Sequence, residues 1–199
     1  KNQQLMQTSR AIKKKDSRHR ILQAASKRLR REGLDSASIA TVMNDAGLTH
    51  GTFNAHFKNK DELTIEAFKH SLAQSQPRWV KHEDRSWQQR VRRMAAAYLN
   101  PTHRDHKQDG CPIAALASEV SSSSAKGFRQ SYSDGVLSTI LDIAEIGDRA
   151  DNPEKYDQSV ALLALWIGGL NLSRNVDDNI KSDHILKVCN QASSRLING

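Results

Sequence analysis

Apolar residues recur every three or four positions along most of the chain, which places them on one face of an α-helix. One such stripe consists of Ile21, Leu22, Ala25 and Leu29. No stretch alternates apolar and polar residues over the length of a strand, and no Asn-Gly or Asp-Gly turn joins two strand-like runs. The pattern therefore predicts an all-α protein of about nine helices, three of them short.

Turn and capping residues divide the N-terminal part into short helices. Gly33 is predicted to end the first helix, because glycine readily adopts the left-handed conformation that follows a helix. Ser36 or Ser38 then caps a short helix that ends at Gly47, and Thr49 caps another. Two short helices joined by a tight glycine turn form a helix-turn-helix unit, whose second helix enters the major groove of DNA.

The outward face of this second helix carries short polar or small side chains. Asparagine and histidine can hydrogen-bond to base edges, threonine can contact the thymine methyl group, and glycine lets the backbone approach a phosphate. The candidates for reading DNA on this helix are Thr49, His50, Gly51, Thr52 and Asn54.

Positive charge is concentrated in the same part of the chain. Residues 1–70 carry 14 Lys and Arg against 7 Asp and Glu, so they hold +7 of the net charge of +8. A basic N-terminal part followed by a near-neutral remainder fits contact with nucleic acid, although a solvated basic surface is the alternative on charge alone. Residues 1–15 are predicted to form a flexible basic arm, with the first helix beginning near Asp16 or Ser17.

The run 38–63, SIATVMNDAGLTHGTFNAHFKNKDEL, resembles the signature of the tetracycline-repressor (TetR) family of transcriptional regulators. The resemblance extends over residues 16 to about 68. It implies an N-terminal three-helix helix-turn-helix DNA-binding domain over residues 1–62 and a C-terminal helical domain for effector binding and dimerisation over residues 63–199. The implied function is that of a homodimeric repressor, released from double-stranded operator DNA by a small apolar or aromatic ligand.

The resemblance also implies roles for individual residues. Ser38 and Lys60 would contact phosphates, and His56 would lie on or beside the recognition helix. His56 has a structural alternative, in which it fills the junction between helices. Asn54 departs from the family, which usually has a tyrosine that contacts the DNA backbone at this position, so the role of Asn54 stays open.

A long apolar helix is predicted near the C-terminus. Residues 160–172 are apolar on almost every side, so this helix should be buried on more than one side. The pair Gly168-Gly169 costs about 1 kcal/mol per glycine relative to alanine, a cost that fits a close approach by another helix. In the family the last two helices form a four-helix dimer bundle, which implies a homodimer through residues of about 153–198. Burial within one chain is the alternative.

Aromatic and apolar side chains on the middle helices are candidates for lining a ligand pocket, since such pockets are mostly apolar with a few polar groups. These candidates are Trp79, Met94, Tyr98, Leu116, Phe128, Tyr132 and Trp166. Each of them could instead belong to the core.

Cys111 is a further candidate, because it precedes Pro112 at a predicted helix start, where unpaired amides favour a thiolate. The segment 110–120 resembles one found in a branch of the family in which some members respond to electrophiles or oxidants through cysteine. A thiol-sensing repressor that uses Cys111 is therefore the alternative function. A residue packed inside the helix start is the structural alternative.

Other classes of function lack support in the sequence. It contains no phosphate-binding glycine loop, no H-E-x-x-H, no G-x-S-x-G and no histidines at metal-ligand spacing, so we predict no enzyme, no metal and no cofactor. Two distant cysteines, no apolar run of about 18 residues and no secretory signal predict a cytoplasmic protein without a membrane span. A non-specific nucleoid protein would have no use for the near-neutral second domain.

Overall fold

The structure is a computed structural model that describes residues 2–34, 38–75, 86–145 and 147–198. All regular secondary structure over those residues is helical, which confirms the predicted all-α class. Its α-helices are α1 (Asn2–Glu32), α2 (Ile39–Asp45), α3 (His50–Phe53), α4 (Lys60–Ser75), α5 (Trp87–Tyr98), α6 (Pro101–Asp105), α7 (Pro112–Leu116), α8 (Phe128–Ala144), α9 (Pro153–Arg174) and α10 (Asn179–Asn198). A single 3-10 turn, Lys107–Asp109, lies between α6 and α7, and another, Arg149–Asp151, lies between α8 and α9.

The described residues form ten α-helices, whereas the sequence pattern predicts nine, because a segment predicted as a loop is helical. Asn100 caps α6 by accepting a hydrogen bond of 3.0 Å from the amide of His103, and Pro101 occupies the first helical position. Proline is favoured there because its missing N–H would have no helical partner. The polar composition of residues 102–110 predicts a loop. In the structure, capping by Asn100 stabilises a helix at the start of this segment.

The predicted flexible arm is also wrong, because α1 begins at Asn2 and continues without a break to Glu32. Residues 2–15 contain neither glycine nor proline and consist mainly of lysine, glutamine, leucine, methionine and alanine, which are good helix formers. A run of three lysines lowers apolar content without interrupting a helix. The predicted start at Asp16 or Ser17 therefore lies in the middle of α1.

The helix starts predicted at Ser38, Thr49 and Pro112 are confirmed, although the Thr49 side chain makes no capping hydrogen bond to α3. The hydroxyl of Ser38 accepts a hydrogen bond of 3.2 Å from the amide of Thr41 and caps α2. Ser86 caps α5 in a reciprocal capping box with Gln89, and Pro112 is the first residue of α7.

An N-terminal core joins the head of the molecule to the helices behind it. Helices α1 to α4 bury Phe53, Phe57 and Phe68 against one another, and the same core continues into α7 and α8 through Leu116 and Phe128. Burying each such side chain stabilises the fold by about 1.5–3 kcal/mol. The domain boundary between residues 62 and 63 stays a prediction, since this core extends across it.

A second core lies between α5, α8, α9 and α10. Trp166 and Leu170 of α9 are fully buried in it, and the indole Nε1 of Trp166 donates a 2.9 Å hydrogen bond to Ser193 of α10. This core holds the two C-terminal helices against each other within one chain.

A buried ion pair crosses the second core. Arg90 of α5 contacts the carboxylate of Glu145, the residue that ends α8, and their side chains are only 9% and 18% exposed. Glu145 has φ +58°, a left-handed conformation that is costly for a residue with a Cβ. Lys155 of α9 lies 4.0 Å from the other carboxylate oxygen, so Glu145 holds three helices together.

Candidate functional site

Helices α2 and α3 cross with the geometry of a helix-turn-helix unit. Gly47 ends α2 with φ +62°, and the amide of Leu48 donates a 3.0 Å hydrogen bond to the carbonyl of Met43, which closes the turn. Phe53 buries the inner face of α3. A side chain at Gly47 would be strained in this conformation, so glycine is required for the turn.

The outer face of α3 is open to solvent, as a DNA-reading helix requires. Thr49, His50, Gly51 and Asn54 are exposed and Thr52 is half-buried, with its hydroxyl 3.1 Å from that of Thr49. A Cβ at Gly51 would meet no atom within 4 Å, so its backbone can be approached closely from outside. These five candidates therefore share one accessible surface, which we call the α3 face.

The two residues expected to contact phosphates lie at helix starts beside the α3 face. Ser38 is exposed, and its hydroxyl is already engaged as the cap of α2. Lys60 is the first residue of α4 and is half-buried. An amide or hydroxyl at such a helix start is well placed to meet an anion.

His56 lies at the junction between α1 and the end of α3. Its Nε2 is 2.8 Å from the hydroxyl of Ser17, a contact that sequence reasoning did not anticipate. The pKa of His56 lies below its usual value, because burial and the nearby charges of Lys14 and Arg18 disfavour the protonated ring. The structure thus places His56 beside the α3 face, in contact with α1.

The ligand candidates divide into core residues and one polar cluster. Leu116, Phe128 and Trp166 are almost completely buried in the two cores, and Met94 is half-buried against the second. Trp79 lies outside the described residues.

Tyr98, Cys111 and Tyr132 come together where the two cores meet, together with Arg174 from the end of α9. Burial, followed by the proximity of Cys111, raises the pKa of Tyr98 well above its usual value. Burial and then Cys111 also raise the pKa of Tyr132 to about 12, and the Tyr132 hydroxyl donates a 3.0 Å hydrogen bond to the carbonyl of Ile113. We call these four side chains the Cys111 cluster.

Arg174 is the member of the Cys111 cluster that sequence reasoning missed. Its Nε and Nη2 donate to the carbonyls of Arg104 and His103 at 3.1 and 2.9 Å, while its buried Nη1 has no hydrogen-bond partner. Burial lowers the pKa of Arg174. An arginine in the last turn of a helix is common, so its position carried no signal of this arrangement.

The outward side of α9 is lined by small or apolar residues at intervals of four. Val160, Ala164 and Leu172 are exposed and Gly168 is half-buried. A Cβ at Gly168 would meet no atom within 4 Å, whereas a Cβ at Gly169 would lie 2.6 Å from the Sγ of Cys189 on α10. The two glycines therefore face different directions, and only Gly169 is required by packing within the chain.

Metal sites and membrane-spanning helices are both absent from the residues that the structure describes. Among them, no group of three or more His, Cys, Asp or Glu is arranged to hold a metal ion. None of the helices in those ranges combines the length and apolar character that a membrane span needs.

Comparison with known proteins assigns the head to a family. Residues 21–67 match the sequence profile of the family described as bacterial regulatory proteins, tetR family. By this match, the head is a TetR-family DNA-binding domain. The matched segment contains α2, α3 and the start of α4, so the helix-turn-helix unit described above is a TetR DNA-binding domain, as its sequence signature predicts.

Solved TetR-family structures share the fold of the whole chain. A regulator from Agrobacterium tumefaciens has a TM-score of 0.74 at 15% identity, with 92% of this chain and 97% of that chain covered. Escherichia coli NemR in its reduced form has a TM-score of 0.72 at 18% identity, with 90% and 96% covered. At these identities the likeness concerns the fold alone. A comparison with curated proteins finds no match.

Proposed function

We propose that this TetR-family regulator is a homodimeric repressor that reads a near-palindromic operator through the α3 face. The observation that carries the proposal is the exposed set of short polar side chains on the second helix of the family-matched helix-turn-helix unit. Thr49, His50, Thr52 and Asn54 reach base edges, Gly51 lets the backbone approach a phosphate, and Ser38 and Lys60 hold phosphates. Such a DNA target implies that the protein acts in the cytoplasm.

The small and apolar residues on the outward side of α9 support the proposed homodimer. Four small or apolar residues spaced by about one helical turn line this side of α9, and Val188 and Leu196 of α10 are exposed as well. Gly168 has open space where its Cβ would be, so a second helix can approach its backbone closely. A two-fold pair of heads matches the two half-sites of an operator.

An apolar or aromatic ligand is proposed to release the DNA. Helix α4 leads from the α3 face into the N-terminal core, where it packs along α1 and against α8. Met94, Tyr98 and Tyr132 are the proposed ligand contacts that also offer flexibility or a polar group. A ligand releases DNA only if it binds more tightly to the conformation in which the two heads are wrongly spaced.

Selection of duplexes from a random pool, followed by fluorescence anisotropy, tests the proposed DNA contacts. Thr52→Ala is expected to change base preference at one position of each half-site and to cost about 1–3 kcal/mol there. Lys60→Ala is expected to weaken all duplexes alike and to flatten the salt dependence. Thr102→Ala, on the distant α6, is the matched control and should bind as wild type.

Two outcomes would contradict this function. Selection that yields no common sequence would reject operator recognition, and unchanged base preference in Thr52→Ala would reject the α3 face as its source.

Thiol sensing through Cys111 is the second candidate. It is favoured by the Cys111 cluster, in which a half-buried arginine and two tyrosine hydroxyls lie near a half-buried thiol. Cysteine is the strongest nucleophile among the side chains of this cluster. One similar structure, that of NemR, is described as a reduced form, which concerns that protein only.

Alkylation with iodoacetamide tests the thiol mechanism. The Cys111 sulfur would attack the methylene carbon, form an S–C bond and expel iodide. We expect treated wild type and Cys189→Ser to lose operator binding by about tenfold or more, and treated Cys111→Ser to keep it. Cys189 is a suitable control because burial raises the pKa of its thiol and so slows its reaction. Equal binding before and after treatment in all three proteins would reject the thiol mechanism and leave ligand binding.

A further inference from the structure

The two ends of α1 lie in different parts of the molecule. Near its C-terminal end, Lys27 lies 3.9 Å from Asp109, and the amide of Leu34, just after α1, donates a 2.7 Å hydrogen bond to Glu119. Both acidic residues belong to the segment around α7, behind the head. The C-terminal end of α1 is therefore fastened to this segment, while Arg28 also pairs with Asp45 at the end of α2.

The middle of α1 is fastened to the helix-turn-helix unit. Ser17 contacts His56, and Arg20 donates to the carbonyls of Ala46 and Gly47 at 2.6 and 3.2 Å. The residues before Ser17 therefore extend past the head in the direction opposite to α7. At a rise of about 1.5 Å per residue, this extension is roughly 22 Å long.

Basic residues of this extension lie on the side of α1 that faces the head. At about 100° per residue, Arg10, Lys13 and Lys14 fall within about 60° of Ser17, whereas Lys15 lies about 160° away. A groove between α1 and the head is lined on the α1 side by Lys13, Lys14, Asp16 and Ser17 and on the head side by Leu48 and His56. The side chains of Arg10, Lys13, Lys14 and Lys15 are all exposed. Only their direction around the helix therefore separates Lys15 from the other three.

We propose that the first half of α1 is a rigid helical extension that lies beside the DNA backbone, with Arg10, Lys13 and Lys14 binding phosphates that flank each half-site. This inference rests on the proposed function, because it takes DNA to lie against the α3 face. The match to the family profile starts at residue 21, so the extension is additional to the matched domain. Ordering a flexible arm on binding would cost conformational entropy and so reduce the free energy of binding. Because the segment is already helical, this cost does not arise.

Fluorescence anisotropy on a 30-bp duplex obtained by selection with wild-type protein tests the proposal. A dimer would place up to six of these side chains near phosphates, and each contact contributes about 0.9 to the slope of log K against log salt. The triple variant Arg10→Ala/Lys13→Ala/Lys14→Ala is therefore expected to bind about 100-fold or more weakly at 0.15 M salt, with a slope lower by about 3–5. Lys15→Ala, the matched control, should stay within about twofold of wild type.

A proline variant separates a rigid helix from a charged arm. Lys15→Pro keeps Arg10, Lys13 and Lys14 but breaks the helix between them and the head, while proline is tolerated at the start of the remaining helix. We expect it to lose as much affinity as the triple variant. Circular dichroism and thermal unfolding should show that the head of each variant stays folded.

Three results would each contradict a different part of the proposal. If the triple variant binds as tightly as Lys15→Ala with the same salt slope, the extension does not contact DNA and the inference is overturned. If the triple variant is weak but Lys15→Pro equals Lys15→Ala, the rigid helix is overturned. If wild type selects no sequence at all, the proposed function fails, and this inference fails with it.

Discussion

Replacement of Gly168 by leucine is expected to convert the proposed dimer into a monomer while stabilising the single chain. A Cβ at this position meets no atom of its own chain within 4 Å, and the leucine side chain would stand in the strip where the partner helix approaches. Leucine also has a higher helix propensity than glycine, by about 0.8 kcal/mol. Sedimentation velocity at about 10 µM should show a monomer, and operator affinity should fall about 100-fold or more because the two heads no longer bind as one unit.

Two variants serve as controls for Gly168→Leu. Ser133→Leu adds the same side chain at an exposed position of α8 and should remain a dimer. Gly169→Ala places a Cβ 2.6 Å from the Cys189 sulfur, so it should lower the free energy of unfolding by about 1–3 kcal/mol. A Gly168→Leu protein that sediments as a dimer and binds its operator normally would place the interface elsewhere.

Loss of the buried carboxylate of Glu145 is expected to have the largest effect on stability. Glu145→Ala leaves Arg90 buried without its partner, which typically costs about 3–5 kcal/mol. Glu145→Gly removes the same carboxylate but relieves the strain of φ +58°, so it should be about 1 kcal/mol less destabilising. Urea unfolding at neutral pH measures both differences.

A double variant distinguishes the charge from general damage to the second core. Arg90→Met combined with Glu145→Gly removes both charges and should recover most of the lost free energy of unfolding. Destabilisation below about 1 kcal/mol in Glu145→Ala would mean that Arg90 finds water or another partner, contrary to its burial.

Local signals predicted the head well because its elements are short and end at residues with special conformations. Ser38 and Gly47 determine where α2 begins and ends by capping and by positive φ, and both effects depend on neighbouring residues alone. The α3 face followed from its polar residues once the turn was placed. The start of α1 was mispredicted because a lysine run resembles a tail in composition, although its helix propensity is high.

Contacts between distant parts of the chain could not be predicted in this way. Leu170 lies in the segment predicted to form the dimer contact, yet it is fully buried in its own chain, whereas Leu172 is exposed. A helix that is apolar on every side has no periodicity to show which side meets its own chain. The contacts of His56 with Ser17 and of Arg174 with the Cys111 cluster depend on packing between helices far apart in sequence.

The uninterrupted length of α1 has a mechanical consequence. A rod of 31 residues is about 46 Å long, and one end is attached at Leu34 to the carboxylate of Glu119. A tilt of about 5° at that end would move the Asn2 end by about 4 Å, comparable to the spacing of adjacent base pairs. Small rearrangements near α7 would thus be amplified along α1 in the manner of a lever, and the head, which is attached to its middle, would move with it.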